Sequence, residues 1–423
     1  MHMQKTDVRS MQQNASKGGL RISVESSLRD VPVADARIEI SYSGEPDNTV
    51  AELLTDGNGQ TEIVELAAPP QEYSLSPGEV QPYSEYTFRV SAEGFETATV
   101  SGSEIISGQL SLQDIRLRPL EAQNVPDVVV IPAHTLYGTY PPKIAEAEVK
   151  PVNQTGEIVL SRVVVPEFII VHDGTPRDTT AGDYYVRYRD YIKNVASSEI
   201  YPSWPRPALE ANILAIMSFT LNRVYTEWYR NKGYNFTITS STAFDHKWIY
   251  GRNIYESISE VVDDLFDNYL SRPNVKQPIL TQYCDGNRVT CPTWLSQWGS
   301  KSLADRGYPA IEILRYYYGD TIYINTAEEV AGVPVSWPGY NLRNGSAGDP
   351  VRQIQEQLNA ISNNYPLIPK IAVDGIFGPA TENAVKVFQQ VFGLTSDGIV
   401  GRRTWNKIQE IYVGVTRIAE LYP

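Results

Sequence analysis

One short phrase occurs twice in this chain and limits the fold of its C-terminal end more than any other feature. Asp374-Gly375-Ile376-Phe377-Gly378-Pro379-Ala380-Thr381 returns 23 residues later as Asp397-Gly398-Ile399-Val400-Gly401-Arg402-Arg403-Thr404. Each copy supplies an Asp-Gly turn and then a Gly break that hands the chain into a helix. The stretches 351–361, 381–392 and 403–411 put Ile354, Leu358, Ala384, Val385, Phe388 and Trp405 at helical spacing. A repeat of this length, with one apolar face per helix, predicts a three-helix bundle of roughly 70 residues. It is assigned to residues 346–423.

Upstream the pattern changes to period two. Leu20-Arg21-Ile22-Ser23-Val24, Ala36-Arg37-Ile38-Glu39-Ile40 and Tyr86-Thr87-Phe88-Arg89-Val90 alternate, and Asp56-Gly57-Asn58-Gly59 is a turn between such runs. Residues 19–118 therefore read as an all-β sandwich of about seven strands, preceded by a flexible pre-sequence at 1–18. Residues 119–142 hold Pro119, Pro126, Pro132, Pro141 and Pro142 and predict an extended, exposed linker. Residues 143–340 read as a mixed α+β domain. They contain a buried-strand candidate at 163–171, a long helix at 207–230 with Pro207 in its first turn, and shorter helices at 256–270 and 310–317.

The 423 residues carry 36 Lys and Arg against 50 Asp and Glu, a net charge of -14. Residues 1–120 alone hold 9 basic and 18 acidic side chains, so this region carries -9 of the total. Clustered cations are what phosphate neutralisation needs, so nucleic acid is not an expected partner. The longest apolar runs, at 128–131 and 163–171, fall far short of the ~20 residues of a membrane span. The first residues lack an apolar h-region, so no secretory leader is expected. Tyrosine is abundant, with 27 Tyr against 10 Phe. Its flat face and polar tip suit sugar rings or wet interfaces, although a Tyr-rich surface with no ligand explains the count equally well.

Three resemblances follow from these residues. The C-terminal stretch, "D-P-V-R-Q-I-Q-E-Q-L" followed by "V-D-G-I-F-G-P-A-T-E-N-A-V-K-V-F-Q-Q-V-F-G-L-T-S-D-G-I-V-G-R-R-T-W", resembles the peptidoglycan-binding type 1 module. That implies docking on cell-wall glycan or its peptide stems, with Asp374, Phe377, Asp397 and Trp405 as candidate contacts. The sandwich, with "D-G-N-G" before one strand and "V-S-A-E-G-F" after another, resembles transthyretin-like, carboxypeptidase-regulatory domains. The middle domain resembles stage II sporulation protein D, a lytic transglycosylase fold. That family shows "S-E-M-P" and then "W-P-x-E-A-L-K-A-Q-A-V-A-A-R-T-Y". This chain has Ser198-Glu199-Ile200-Tyr201 and then Trp204-Pro205-Arg206-Pro207-Ala208-Leu209-Glu210. Pro207, Glu210 and Met217 replace the family's second Glu, its Lys and its Arg. Only Glu199 stays in register, and it is the catalytic position the resemblance implies.

The order sandwich, linker, transglycosylase-like domain and wall-binding module resembles the precursor form of germination-specific spore cortex-lytic enzymes. The resemblance implies storage in the spore, cortex peptidoglycan as substrate, and removal of the N-terminal part by a subtilisin-like Csp protease cutting in the linker. The sandwich then reads as a covering domain, whose loss would also reduce repulsion from an anionic glycan.

Lytic cleavage needs one carboxyl, first as acid on the glycosidic oxygen and then as base on the muramic C6 hydroxyl; hydrolytic glycosidases generally use two. Holding Glu199 as an acid requires apolar burial, for which Ile200, Tyr201 and Trp204 are candidates. Tyr191, Trp204, Glu210, Asp245, Tyr250 and Tyr283 are candidate groove or supporting residues. No cofactor is expected. Cys284 and Cys291, with His246, leave three alternatives open: no metal, a disulfide, or zinc. His134 and His172 read as structural. Two rivals remain: a binding-only or amidase-enhancing wall protein that lost activity with its second Glu and Arg, and a hydrolase with a second carboxylate near Glu199.

Overall fold

The computed structural model describes residues 16–27, 31–120, 127–151, 159–331 and 337–416. It is a multidomain chain with mixed sheets and a C-terminal helical region. Among the described residues no helix is long and apolar enough to cross a membrane.

The N-terminal region packs two sheets face to face. Strands β1 (Ser16–Ser26), β2 (Arg37–Tyr42), β3 (Thr49–Leu54), β4 (Val64–Ala68), β5 (Ser84–Ser91), β6 (Ala98–Ile105) and β7 (Leu110–Leu117) come from the predicted sandwich. The period-two pattern does what it should. Leu20, Ile22 and Val24 of one sheet and Ile38, Ile40, Phe88 and Val90 of the other all turn inward and are fully buried. β1 already pairs with β4 from Ser16, which faces Ala68, so the pre-sequence assigned to 1–18 overlaps a strand; residues 1–15 lie outside the described residues.

Two further strands, β8 (Asp127–Val130) and β13 (Ile254–Tyr255), complete these sheets from outside the sandwich. β8 runs parallel to β6, with Val129 opposite Val100, and forms an edge. β13 belongs to the middle domain and pairs antiparallel with β7, Ile254 opposite Leu112. The exposed-linker reading of 119–142 is thus corrected over the part described here. Ile131, His134 and Leu136 are buried, and only 121–126 falls outside the described residues. Proline content misled because Pro126 and Pro132 flank β8 rather than interrupt it, leaving Val128 to Val130 free to pair.

In the middle domain, β9 (Val164–Val165) and β10 (Phe168–His172) replace the single predicted strand, because Pro166 between them lacks the donor a continuous ladder needs. β10 lies between β11 (Asp183–Arg187) and β12 (Ile238–Thr239). Helix α1 (Tyr188–Glu199) leads to α2 (Arg206–Tyr225), which is buried on nearly every face and has α1, α3 (Glu256–Leu265), α4 (Gln297–Asp305) and α5 (Ala310–Tyr318) packed around it. Two polar side chains on α2 are tied to backbone: Thr220 donates to the Ile216 carbonyl and Asn222 to the Pro278 carbonyl.

The bundle consists of α6 (Asp349–Ile361), α7 (Pro379–Val391) and α8 (Arg402–Thr416) around Ile354, Leu358, Val385, Phe388 and Trp405. The sequence repeat is also a repeat of hydrogen bonds. Asp374 Oδ1 accepts from the Ile376 amide at 2.9 Å and from Gln355 Nε2 at 2.9 Å. Asp397 Oδ1 accepts from the Ile399 amide and from Gln389 Nε2, both at 2.8 Å. Gln355 and Gln389 each accept in return from the glycine that follows the Asp. Gly375 and Gly398 sit at φ +73° and +75°, where a side chain would be strained.

The three regions are fastened together differently. Between sandwich and middle domain, Glu104 and Arg252 form an ion pair at 2.9 Å that is almost fully buried, and Asn253 bonds the Glu104 backbone on both sides. Between bundle and middle domain the ties are ion pairs nearer solvent: Arg403 with Asp264, Arg402 with Asp267, and Arg189 with Glu410.

Candidate active site

Glu199 is the last residue of α1, and Ile200 after it is already extended. That places the carboxylate at a helix end, in a buried position (4% exposed). Its Oε1 accepts from the Lys247 amide at 2.8 Å. Gln297, at the start of α4, donates Nε2 to the Glu199 carbonyl at 2.9 Å and to Oε2 at 3.3 Å. Both donors are neutral, so they orient the group without neutralising it.

The carboxylate opens on a cleft whose walls include Thr135, Tyr140, Lys143, Tyr283, Arg288 and Gln297. The stretch 135–143, part of the predicted linker, forms one wall. It is pinned there: Thr135 bonds the Ser198 carbonyl through both its amide and its hydroxyl, and Arg288 donates to the carbonyls of Leu136 and Gly138. No described residue of 16–120 lines the cleft, so the sandwich is not the cover that domain order implied. Its contacts with the middle domain include Trp204, Ser203 and residues 251–257, and Tyr83 meets the segment that leads into the cleft wall, its hydroxyl accepting from the His134 amide and its ring lying edge-on to Tyr137.

Lys143 donates to the Asp245 carbonyl and holds its ammonium 4.4 Å from the Tyr283 ring centre. Burial pushes its pKa down, and the charges of Glu199 and Asp245 oppose that shift. Burial, and secondly the Glu199 charge, push the Tyr283 phenol well up, so it stays protonated.

The other candidates separate into distinct roles. Asp245 is fully buried behind the cleft and saturated. It accepts from Arg223 Nε at 2.7 Å, the Tyr229 hydroxyl at 2.6 Å, the Thr239 amide at 2.9 Å and the Thr239 hydroxyl at 2.6 Å. It holds the fold and is not a groove residue. Arg223, which bridges Asp245 to Glu146, went unnoticed in the sequence; its only signal was a cation in the last turn of an apolar helix. Tyr191 is buried and shares a hydrogen bond with His246 Nδ1 at 3.0 Å, supporting the site from beneath. Trp204 donates to the Ser74 carbonyl of the sandwich, making it an interdomain contact. Glu210 pairs with Arg206 one helical turn away, on the surface. Tyr250 is half exposed beside the cleft's approach. Ile200, Tyr201 and Trp204 do not line the cleft, so the apolar shield expected around Glu199 is replaced by the polar groups above.

Cys284 and Cys291 are joined in a disulfide, which overturns the zinc alternative: both thiols are spent, and His246 Nδ1 faces Tyr191. The disulfide closes a small loop on the cleft rim. Asp285 in that loop is the other carboxylate among the lining residues, and its oxygens accept from the amides of Arg288 and Val289. His134 and His172 are buried, stacked on Tyr201 and Phe236.

In the bundle, Phe377 and Trp405 are fully buried and belong to the core, so they are not contacts for glycan. Asp374 and Asp397 are exposed, but each carboxylate is engaged in its own turn.

Comparison with known proteins places the C-terminal part. Residues 347–408 match the family described as "Putative peptidoglycan binding domain". The chain is 44% identical over 77 residues to a zinc D-Ala-D-Ala carboxypeptidase of Streptomyces albus G, covering 18% of this chain and 28% of that protein. It is 32% identical over 124 residues to an autolytic lysozyme of Clostridium acetobutylicum, covering 29% and 37%. It is 46% identical over 66 residues to the N-acetylmuramoyl-L-alanine amidase CwlL of Bacillus licheniformis, covering 15% and 18%. The chain thus spans well under half the length of each of these relatives. It carries a peptidoglycan-binding domain at its C-terminal end and shares sequence with cell-wall hydrolases.

Proposed function

We propose that this chain is a spore cortex-lytic enzyme of the SleC type, with a middle domain like stage II sporulation protein D that acts as a lytic transglycosylase on cortex peptidoglycan. The carrying observation is the inequality of the two cleft carboxylates. Glu199 is held by neutral donors and faces the open volume, whereas Asp285 is occupied by its own loop.

One carboxyl set at the cleft, with the other turned into its own loop, suits chemistry that needs one. The protonated Glu199 gives its proton to the oxygen of the MurNAc–GlcNAc β-1,4 bond as the bond to C1 of MurNAc breaks. The resulting carboxylate takes the proton of the muramic C6 hydroxyl while that oxygen bonds to C1. The products are a 1,6-anhydro-muramyl end and a free GlcNAc 4-hydroxyl, with no water consumed. The bundle keeps the cleft on the insoluble wall. Storage as a precursor in the spore, with activation by a subtilisin-like Csp protease, completes this reading and draws on the domain order.

A second reading has one observation in its favour. Pro207, where the family has its second Glu, sits in the first turn of α2 and serves the helix rather than the chemistry. A chain that kept the fold and lost activity would bind wall and release nothing. Mass spectrometry of muropeptides released from decoated cortex by the protease-treated chain decides. Anhydro-muropeptides support the transglycosylase, reducing-end muropeptides the hydrolase, and no products the binding-only protein.

A further inference from the structure

The notable surface outside the cleft is a group of three aromatic rings. β11 supplies Tyr184, and the loop after His246 supplies Trp248 and Tyr250. The Tyr184 ring lies 5.2 Å from Trp248 and 5.0 Å from Tyr250, and Trp248 lies 6.2 Å from Tyr250. Trp248 is buried and forms the floor, Tyr184 is partly buried, and Tyr250 is 48% exposed. Trp248 belongs to the buried core and Tyr184 packs against it, so Tyr250 is the ring that the group presents to solvent, backed by the other two.

The group is continuous with the cleft. Lys247, the residue before Trp248, donates its amide to Glu199 and holds its ammonium 5.5 Å from the ring of Tyr140, a cleft wall. Tyr250 follows Lys247 by three residues, which spans at most about 11 Å of extended chain. Trp248 and Tyr250 therefore lie within three residues of a direct contact to Glu199.

We infer that Tyr184, Trp248 and Tyr250 form a sugar-stacking subsite that takes a pyranose ring of the glycan strand at a distance from the bond being cleaved. The chemistry fits one occupant. A pyranose presents a face of C–H bonds to an aromatic ring and a polar rim to water, and tyrosine offers the apolar face together with a hydroxyl at its edge. This rests on the reading of the Glu199 cleft as a glycan site.

The test is calorimetric titration of the full chain with a linear tetramer of N-acetylglucosamine. Wild type binds it. Tyr250→Ala binds about tenfold more weakly, the scale of one aromatic contact, while Tyr250→Phe retains binding. Tyr184→Ala, with melting temperature measured alongside, repeats the loss from the other strand. Equal binding by wild type and Tyr250→Ala overturns the subsite, and so does a wild type that fails to bind the tetramer. Tetramer binding that depends on Tyr250, in a chain that releases nothing from cortex, leaves the subsite standing and removes the cleavage reading alone. Loss of binding to an unrelated protein in Tyr250→Ala, with sugar binding unchanged, makes the group a protein-docking surface and overturns the proposal.

Discussion

Two buried carboxylates in the middle domain, Glu199 and Asp245, look interchangeable in the sequence and are opposites in the structure. Asp245 receives four hydrogen bonds, one of them from a guanidinium, and has no face toward solvent. Glu199 receives neutral donors only and borders an open cleft. The difference separates a group that holds a fold from one that can meet a substrate. A carboxylate locked to a buried Arg is committed to that ion pair, whereas one that borders a cleft can reach a bound ligand.

The sharpest way to break the comparison is to neutralise each in turn. Glu199→Gln keeps the shape and one of the two acceptor oxygens and removes the acid; release of product falls by about 10²–10⁴-fold, the usual worth of a general acid. Its melting temperature stays near wild type. Asp245→Asn gives the reverse signature. It removes one of the two carboxylate partners of Arg223 and leaves Glu146 as the other, a loss of about 1.5–3 kcal/mol that urea unfolding would register. A chain in which Asp245→Asn is stable and inactive, or Glu199→Gln unstable and active, reverses the assignment.

Smaller effects sharpen the picture of the cleft wall. Reducing the Cys284–Cys291 disulfide relaxes the loop that carries Asp285 and Arg288, and with it the clamp on Leu136 and Gly138. The expected cost is about 2 kcal/mol, seen as a lower melting temperature in reductant and as faster hydrogen exchange at 284–291 and 135–143 but not around Asp245.

The smallest effect concerns the carboxylates that pair across the seam between the bundle and the middle domain. Burial works against the charges of Glu410 and Asp264, yet Lys407 and Arg189 beside the first, and Arg403 and Arg206 beside the second, hold both below the usual carboxylate range. Groups lowered by folding stabilise fully above their unfolded values, about 4, and that contribution is lost as pH falls through the lowered folded values. The hold of α8 on the middle domain therefore weakens in acid, and also in high salt, which screens Arg402 and Arg403. Hydrogen exchange of α8 measured against pH and salt checks this; exchange that stays flat in both removes the ion pairs from the account.

Much of this was legible from residues alone, for physical reasons. The bundle was readable because its apolar spacing and Asp-Gly turns repeat, and each turn demands glycine at positive φ. The sandwich was readable because alternation in a two-layer fold maps directly onto inside and outside. Glu199 stood out because it kept its place in a family motif while its neighbours changed. What stayed hidden were facts of pairing across distance. Nothing local to Val128–Val130 reveals β6 as its partner, and nothing local to Ile254 reveals β7. Gln355 and Gln389 carry the turn networks but read as ordinary polar helix residues. Asp245 and Trp204 were picked for chemical type, and type says nothing about whether a side chain faces a cleft, an arginine or another domain.

The direct test of the central claim is the mass of what leaves decoated cortex when the protease-treated wild type and its Glu199→Gln variant are compared at matched melting temperature. The account predicts 1,6-anhydro-muropeptides from the wild type and none from the variant. Anhydro-muropeptides from both would contradict it and place the acid elsewhere.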